Sequence, residues 1–579
     1  MNFETEQLLK QSGTFFSEMS HPSKFVSKGQ ARGVWQALII LIDFPDYRWN
    51  HRSDGNFFND DTLYTKRHYE NMLFSLDSFR NPYSQNEYTG SMRDFYLENS
   101  YGQFDLTGVV TLWYTASQPL SYYADDRSGF GSYPRSSGRL VEEAVILADP
   151  NVDFSQFDNN GDSRVDALFV VHAGPGAEEI YTVNFPEHTN YLWSHKSSIS
   201  SVVKDGVTVA GYTLEPENGA IGVFCHEFGH ALGLPDLYDT DNSSEGIGEW
   251  GLMAAGGWCH RTGDLIGTSP AHFTAWSKEA LGWLQPVNIT QNNLQKEIPP
   301  VETHPAVYRL WTDGQAGGEY FLIENRQNIG FDAGLTRRQK DFHLPDAHGL
   351  IIYHVDHSGS QFNELRRVID VEEASPFFDN ENPIEQLDLQ RILPTHEFLI
   401  NGNRGDNGDP FPGFSGVNSA FNDYTGERDR MDFDENSVPN SHDNDGLPTS
   451  VAVANIREVG VAIVADLFVS QATSVVHPDV SVPSEFDMLQ NYPNPFNPET
   501  EIRFLIPASQ PGGIRVQLSI YNLKGERVKS LLAENKLPGA YSAVWDGTDD
   551  LGGRVSSGLY FYRFRSKLFT KTRRMLLLK

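Results

Sequence analysis

The alternation of apolar and polar positions along the chain changes character three times. Gln36–Phe44 (QALIILIDF) is an almost unbroken apolar run closed by Asp43-Phe44-Pro45-Asp46, the pattern of a central strand covered on both faces and followed by a turn. Residues 62–80 and 89–100 have helical spacing, and the stop Ser100-Tyr101-Gly102 leads into strands at 104–114. Residues 137–148 (SGRLVEEAVILA) read as an amphipathic helix and Asp166–His172 as a second buried strand. This alternation predicts an α/β catalytic subdomain with a twisted sheet packed on a helix. Further on, Ser269 and Pro270 predict a helix over 269–278, with Ser269 as its cap and Pro270 in its first turn. Apolar and neutral surroundings are expected there, which makes His272 a core histidine and not a ligand.

From 288 to 469 the pattern becomes short alternating strands, among them 306–311, 320–324 and 349–355, separated by loops rich in Asp, Asn, Gly and Pro. A β-rich, sandwich-like domain is expected. Within it, 400–446 reads as loop, and Asn401–Asp409 as a further candidate cation site. Residues 470–484 are a Ser/Val/Pro linker. Residues 485–579 read as seven or so short strands, with Tyr492–Pro498 marking an extended N-terminal strand and Trp545–Asp549 a turn. Residues 1–30 are polar and weakly patterned, as in a leader or propeptide remnant. The expected organisation is therefore 1–30 leader, 31–287 catalytic domain, 288–469 β-rich domain, 470–484 linker and 485–579 C-terminal β-sandwich.

Composition narrows the function classes. A chain of 579 residues exceeds one core and suggests three or four domains. Net charge is -32 and pI about 4.9, which argues against nucleic acid and anionic membranes as partners. No run of about 20 apolar residues is present, so no transmembrane segment is expected. The opening MNFETEQLLKQSG lacks an apolar h-region and is not a signal peptide. A Gly/Pro-rich, acidic, aromatic-rich chain fits a secreted or cell-surface enzyme. The two cysteines, Cys225 and Cys259, fit either a disulfide or two small buried hydrophobes.

The densest chemistry lies at Cys225–Asp236 (CHEFGHALGLPD). Its HEFGH core has the H-E-x-x-H spacing, which puts His226 and His230 on one helical face. Glu227 stands about 100° round from His226, placed to activate water without ligating metal. Gly233 can end the helix, Pro235 bars its continuation, and the chain can return Asp236 as a third ligand, leaving one open position, as in catalytic zinc. Asp239, Glu245 and Glu249 are nearby alternative carboxylates. For the five-residue core alone, an ordinary helix with two satisfied histidines is an equal reading. Glu249–Trp258 (EWGLMAAGGW) reads as a Met-turn, with Met253 as an apolar floor beneath the metal, or else as a glycine-rich surface turn around a core Met.

Earlier in the chain, Asp158–Asp166 (DNNGDSRVD) alternates oxygen-bearing side chains around a glycine, as calcium loops do. Asp158, Asn160, Asp162 and Asp166 would ligate through side chains and Arg164 through its carbonyl. The closing Glu of a full EF-hand is absent, and a solvated Asx turn is the alternative.

Together, HEFGHALGLPDLYD, WGLMAAGGW and GTSPAHFTAWSKEALGW (267–283) resemble the immune inhibitor A (M6) family of secreted bacterial metalloproteases. LIILIDFPD, SMRDFYLENSYGQFDLTG, DALFVVHAGPGAEE and EYFLIENRQNIGFD extend the likeness over roughly residues 34–470. The resemblance implies a metzincin-like zincin domain with the family's H-E-x-x-H-x-x-G-x-x-D form, in which Asp236 stands where most metzincins have His. It implies a zinc endopeptidase acting on proteins and peptides, with one catalytic zinc on His226, His230 and Asp236 and Glu227 as base; the structural calcium is expected from the residues of loop 158–166. A non-catalytic adhesion or binding protein on a zincin scaffold is the rival reading. The C-terminal stretch resembles immunoglobulin-like domains that act as sorting signals in some bacteria, which implies contact with a secretion machinery. A carbohydrate- or protein-binding module is the alternative there. A monomer is expected.

Overall fold

In a computed structural model the chain divides into two compact units, residues 1–470 and 471–579. The structure describes residues 31–49, 64–82, 89–178, 188–238, 246–336, 347–360, 366–374, 409–418, 423–435, 437 and 439–470 of the first unit. In the second it describes 486–488, 491, 494, 496, 500–507, 514–536, 539–550 and 552–578. The expected leader (1–30), nearly all of the linker (470–484) and residues 401–408 lie outside these ranges.

The first unit is built on a five-stranded sheet of β1 (Gly33–Asp43), β2 (Phe104–Thr115), β3 (Leu168–His172), β4 (His195–Lys204) and β5 (Val207–Pro216). Their order is β2-β1-β3-β5-β4, all parallel except the edge strand β4. The apolar run in β1 is explained by burial on both faces. Leu38, Ile40 and Ile42 pack with Leu140, Val141, Ala144 and Val145 of the helix Ser137–Ala148. Ala37, Ile39 and Leu41 face the opposite layer, which contains helices α1 (Lys66–Phe74), α2 (Met92–Asn99) and α3 (Ile221–Ala231). The expected helix at 89–100 begins later, because Ser91 and Asp94 form a reciprocal capping box at its start.

The helix expected over 269–278 does not form at its proposed start. Residues 269–273 belong to no helix or strand, and N–H groups there bond outward: Ser269 to the Cys259 carbonyl, Ala271 to that of Gly256, His272 to Asp332 and Phe273 to Asn99. The N–H of Phe273, which would close the first turn on the Ser269 carbonyl, is thus spent on Asn99. The helix runs instead over Ala275–Ala280, capped by Thr274, whose Oγ1 accepts from the Ser277 N–H at 3.2 Å.

The β-rich stretch forms a second five-stranded sheet of β6 (Val287–Ile289), β8 (Val307–Trp311), β9 (Glu319–Arg326), β10 (Gly349–Asp356) and β11 (Ile369–Val371), in the order β11-β10-β9-β8-β6. A three-stranded sheet of β7 (Asn293–Ile298), β14 (Ala452–Val459) and β15 (Ala462–Phe468) covers one of its faces. Tyr308, Leu310, Phe321, Ile323, Leu350 and Ile352 point into that sandwich. Their alternates Trp311, Tyr320, Leu322, Ile351 and Tyr353 join the same core as Phe95, Trp250 and Trp276. Packing is therefore continuous across position 287. The stretch 400–446 is not all loop, since β12 (Gly413–Asn418) pairs antiparallel with β13 (Asp423–Arg430).

In the second unit, seven strands form sheets of three (Asp487–Met488, Thr500–Ile506, Gly539–Trp545) and four (Ile514–Tyr521, Arg527–Lys536, Gly558–Ser566, Thr570–Leu577). Ile502, Phe504, Leu518, Trp545 and Tyr562 make up part of their shared core. Of Tyr492–Pro498 the structure describes Asn494 and Phe496, and Phe496 bridges to Leu577.

Candidate metal centre

Helix α3 sits close beneath the segment after the Met-turn. A Cβ on Gly222 would lie 2.0 Å from the Gly257 carbonyl, so only glycine permits this approach. The helix ends where expected. Gly233 adopts φ 98°, its N–H bonds the His230 carbonyl (3.0 Å), and the Leu234 N–H bonds that of Gly229 (3.1 Å), which together form a Schellman stop. The returning chain is then pinned by the Leu237 N–H on the Met253 carbonyl at 2.7 Å.

This path brings Asp236 to the two histidines. Its Oδ1 lies 3.2 Å from His226 Nε2 and 3.1 Å from His230 Nε2. Among the described residues this is the one set of three His, Cys, Asp or Glu side chains whose ligand atoms all fall within 4.8 Å of one another. Each histidine is oriented through its other nitrogen. His226 Nδ1 meets the Leu252 carbonyl at 2.9 Å, and His230 Nδ1 meets that of Leu234 at 2.8 Å. With Nδ1 donating, Nε2 is the nitrogen left to bind metal, the arrangement of metal-ligating histidines. Burial pushes the Asp236 carboxyl up, but His230 and His226 together hold it well below the usual carboxylate range. Among the described residues these two imidazoles and one carboxylate are the donors brought together here, a set suited to holding a metal ion.

Glu227 is buried beside this group. Burial pushes its carboxyl up to about 8; His226 opposes the shift, Asp236 and Glu178 reinforce it, and the Lys196 N–H on β4 opposes it by hydrogen bonding. Its Oε2 has no hydrogen-bond partner among the described residues. Met253 is buried with its sulfur against α3, where a Cβ on Gly229 would come 2.4 Å from Sδ. Cys225 and Cys259 are both buried thiols and not a disulfide. Glu249 is buried in a short helical turn, while Asp239 and Glu245 lie outside the described residues.

Several contributors carry no side-chain signal in the sequence. The Leu252 and Leu234 carbonyls and the Lys196 N–H are backbone groups. Glu178, which is held by Ser194, and Tyr238, whose ring stacks on His226 at 6.3 Å, were also not anticipated. Glu178 follows directly on a Gly-Pro-Gly-Ala turn after β3, the one hint that it stands at the end of a sheet strand. His272 is fully buried as expected, but its neighbours are charged: Glu98 at 2.7 Å and Lys278 at 3.0 Å.

Loop 158–166 lies apart from this group. Asp158 accepts from the N–H groups of Gly161, Asp162 and Ser163, and Asn160 Oδ1 accepts from that of Asp162. Asp166 accepts from the Asn159 N–H at 2.6 Å and the Asn160 amide at 2.8 Å, and Arg164 bridges to Thr208. Burial, then Asp162 and Asp158, raise the Asp166 carboxyl to about 6, against the Asn159 bonds.

Comparison with known proteins agrees with the architecture. Residues 23–285 match the family model "Immune inhibitor A peptidase M6, catalytic domain", and residues 509–566 match the FlgD Ig-like domain. Immune inhibitor A of Bacillus thuringiensis subsp. alesti is 30% identical over 302 residues, covering 45% of this chain and 42% of that protein. Pre-pro-metalloprotease PrtV of Vibrio cholerae serotype O1 is 29% identical over 317 residues, covering 48% of this chain and 32% of that protein. The chain thus spans less than half the length of these relatives. The solved FlgD of P. aeruginosa aligns at 21% identity over 14% of this chain and 58% of its own, with a TM-score of 0.11. Residues 23–285 thus resemble the immune inhibitor A peptidase M6 catalytic domain, and residues 509–566, near the C-terminus, resemble the FlgD Ig-like domain.

Proposed function

We propose that this chain is a secreted, zinc-dependent endopeptidase with a metzincin-like site, acting on proteins or peptides as a monomer. The observation that carries this reading is the meeting of His226 Nε2, His230 Nε2 and Asp236 Oδ1 within 4.8 Å, beside a buried Glu227. Zinc held there supplies the Lewis acidity that polarises a peptide carbonyl and acidifies water. Glu227 Oε2 takes the proton of the attacking water and returns it to the leaving amine, a role open to it because among the described residues no group bonds that oxygen. The Lys196 N–H fixes the carboxylate's orientation. The Leu252 and Leu234 carbonyls hold both imidazoles with Nε2 towards the metal. Loop 158–166 takes a structural calcium, which relieves the crowding of Asp158, Asp162 and Asp166. The Ig-like domain serves export, by contact with a secretion machinery. Among the described residues, no helix is long and apolar enough to cross a membrane. The test is cleavage of a protein library by the purified chain, with and without chelator and with Glu227→Gln as control. Chelator-insensitive cleavage, or equal cleavage by the variant, sinks the reading.

A further inference from the structure

The backbone carbonyl that orients His226 is itself held from far away in sequence. The Leu252 carbonyl that meets His226 belongs to a segment whose Leu252 N–H bonds the His272 carbonyl at 3.1 Å. The His272 N–H in turn bonds Asp332 Oδ1 at 2.8 Å. Asp332 is fully buried and clamped by Arg326 through two bonds, Nε to Oδ2 and Nη2 to Oδ1, both at 2.7 Å. Arg326 is fully buried on β9, and its Nη1 also donates to the Trp250 carbonyl at 3.0 Å, directly ahead of the Met-turn. Glu98 of α2 braces the same segment, accepting from the Phe331 N–H at 2.9 Å and contacting His272 Nε2 at 2.7 Å.

We infer that the Arg326–Asp332 pair, supplied by the β-rich sheet, is a positioning element for the metal centre, fixing the Met-turn so that the Leu252 carbonyl holds His226 in its ligating orientation. The inference rests on the proposed reading of His226, His230 and Asp236 as a zinc site. A buried bidentate Arg–carboxylate pair has defined geometry, which a neutral contact lacks. Loss of partners that orient a metal ligand typically costs 10–100-fold in metal affinity. The chain of bonds to His226 passes through two backbone steps, so the lower end of that range applies.

Asp332→Asn is the discriminating variant. An amide has one acceptor oxygen, so it cannot serve both the His272 N–H and both Arg326 donors. Zinc affinity is measured by competition with a chromogenic chelator, with folding checked by circular dichroism and thermal midpoint. Asp332→Asn is expected to weaken zinc binding about tenfold, and to lower kcat with KM unchanged. Glu372→Gln is the control. It removes a partner of buried His354, 3.3 Å away on the neighbouring strand of the same sheet, with no link to the Met-turn. It is expected to lower the thermal midpoint while leaving zinc affinity as in the wild type. If Asp332→Asn does not fold, Glu98→Gln is judged by the same criterion. Unchanged zinc affinity in the folded variant, or an equal loss in Glu372→Gln, overturns the inference and leaves the zinc site standing. A wild type that binds no zinc overturns both.

Discussion

His226, His230 and Asp236 turn their metal-facing atoms towards one another, while backbone carbonyls occupy the opposite side of each imidazole. In loop 158–166 the carboxylates face inward on the loop's own N–H groups. Both stretches show oxygen and nitrogen ligands at regular spacing in the sequence, yet the fold spends them differently. At the first, one distant carbonyl, Leu252, and one local one, Leu234, hold the imidazoles so that their Nε2 atoms stay available. At the second, local turns consume lone pairs, and the calcium proposed there would share oxygens with backbone donors. A site of the first kind holds its geometry without the ion. One of the second kind gains rigidity from it.

The largest expected effect breaks the comparison at its stronger end. Asp236→Ala loses zinc and peptidase activity together, read by metal analysis alongside cleavage assays, while Asp239→Ala keeps most of its zinc. A zinc-replete Asp236→Ala would move the third ligand elsewhere. Glu227→Ala comes next: activity falls on the order of 10²–10⁴-fold, as for loss of a general base, with zinc near one per chain. Zinc lost along with activity would make Glu227 a ligand or a prop and not the base.

At the loop, the expected effect is on stability alone. A calcium ion bound only by the folded state adds about 2.7 kcal/mol at 100-fold excess over its Kd. Asp162→Ala therefore lowers the thermal midpoint in calcium and removes most of its calcium dependence. An unchanged calcium response reduces the loop to a plain turn. The smallest effect concerns pH. Burial raises the Asp166 carboxyl to about 6 in the folded protein, above its ordinary 3.8, so the folded state holds the extra proton between these values. Its contribution to stability therefore falls as pH rises from about 4 to about 6 in chelator. Calcium flattens that slope, and so does Asp166→Asn without calcium. Midpoints recorded across this window would show a parallel slope in the variant if Asp166 were not its source.

Local pattern by itself determined much of the site. The i, i+4 spacing of His226 and His230, the Gly233 stop and the Pro235 bar are properties of one helix and its end, and each depends only on neighbouring residues. The β1 run was legible for a similar reason, since continuous apolar character requires cover on both faces. The helix start at 269 failed because Ser-Pro is a local signal, whereas the N–H groups of 269–273 were claimed by Cys259, Gly256, Asn99 and Asp332, far off in sequence. Tertiary structure alone decided which groups orient the ligands. The Leu252 carbonyl and Lys196 N–H are backbone, identical in kind at every position, and become particular only when strands pack. Tertiary structure also decided where charge could be buried. Glu98 and His272 stand 174 residues apart, and neither shows in its own neighbourhood that it has a partner. Desolvating such groups is costly without a partner, so their placement follows from the completed fold and not from any window of sequence.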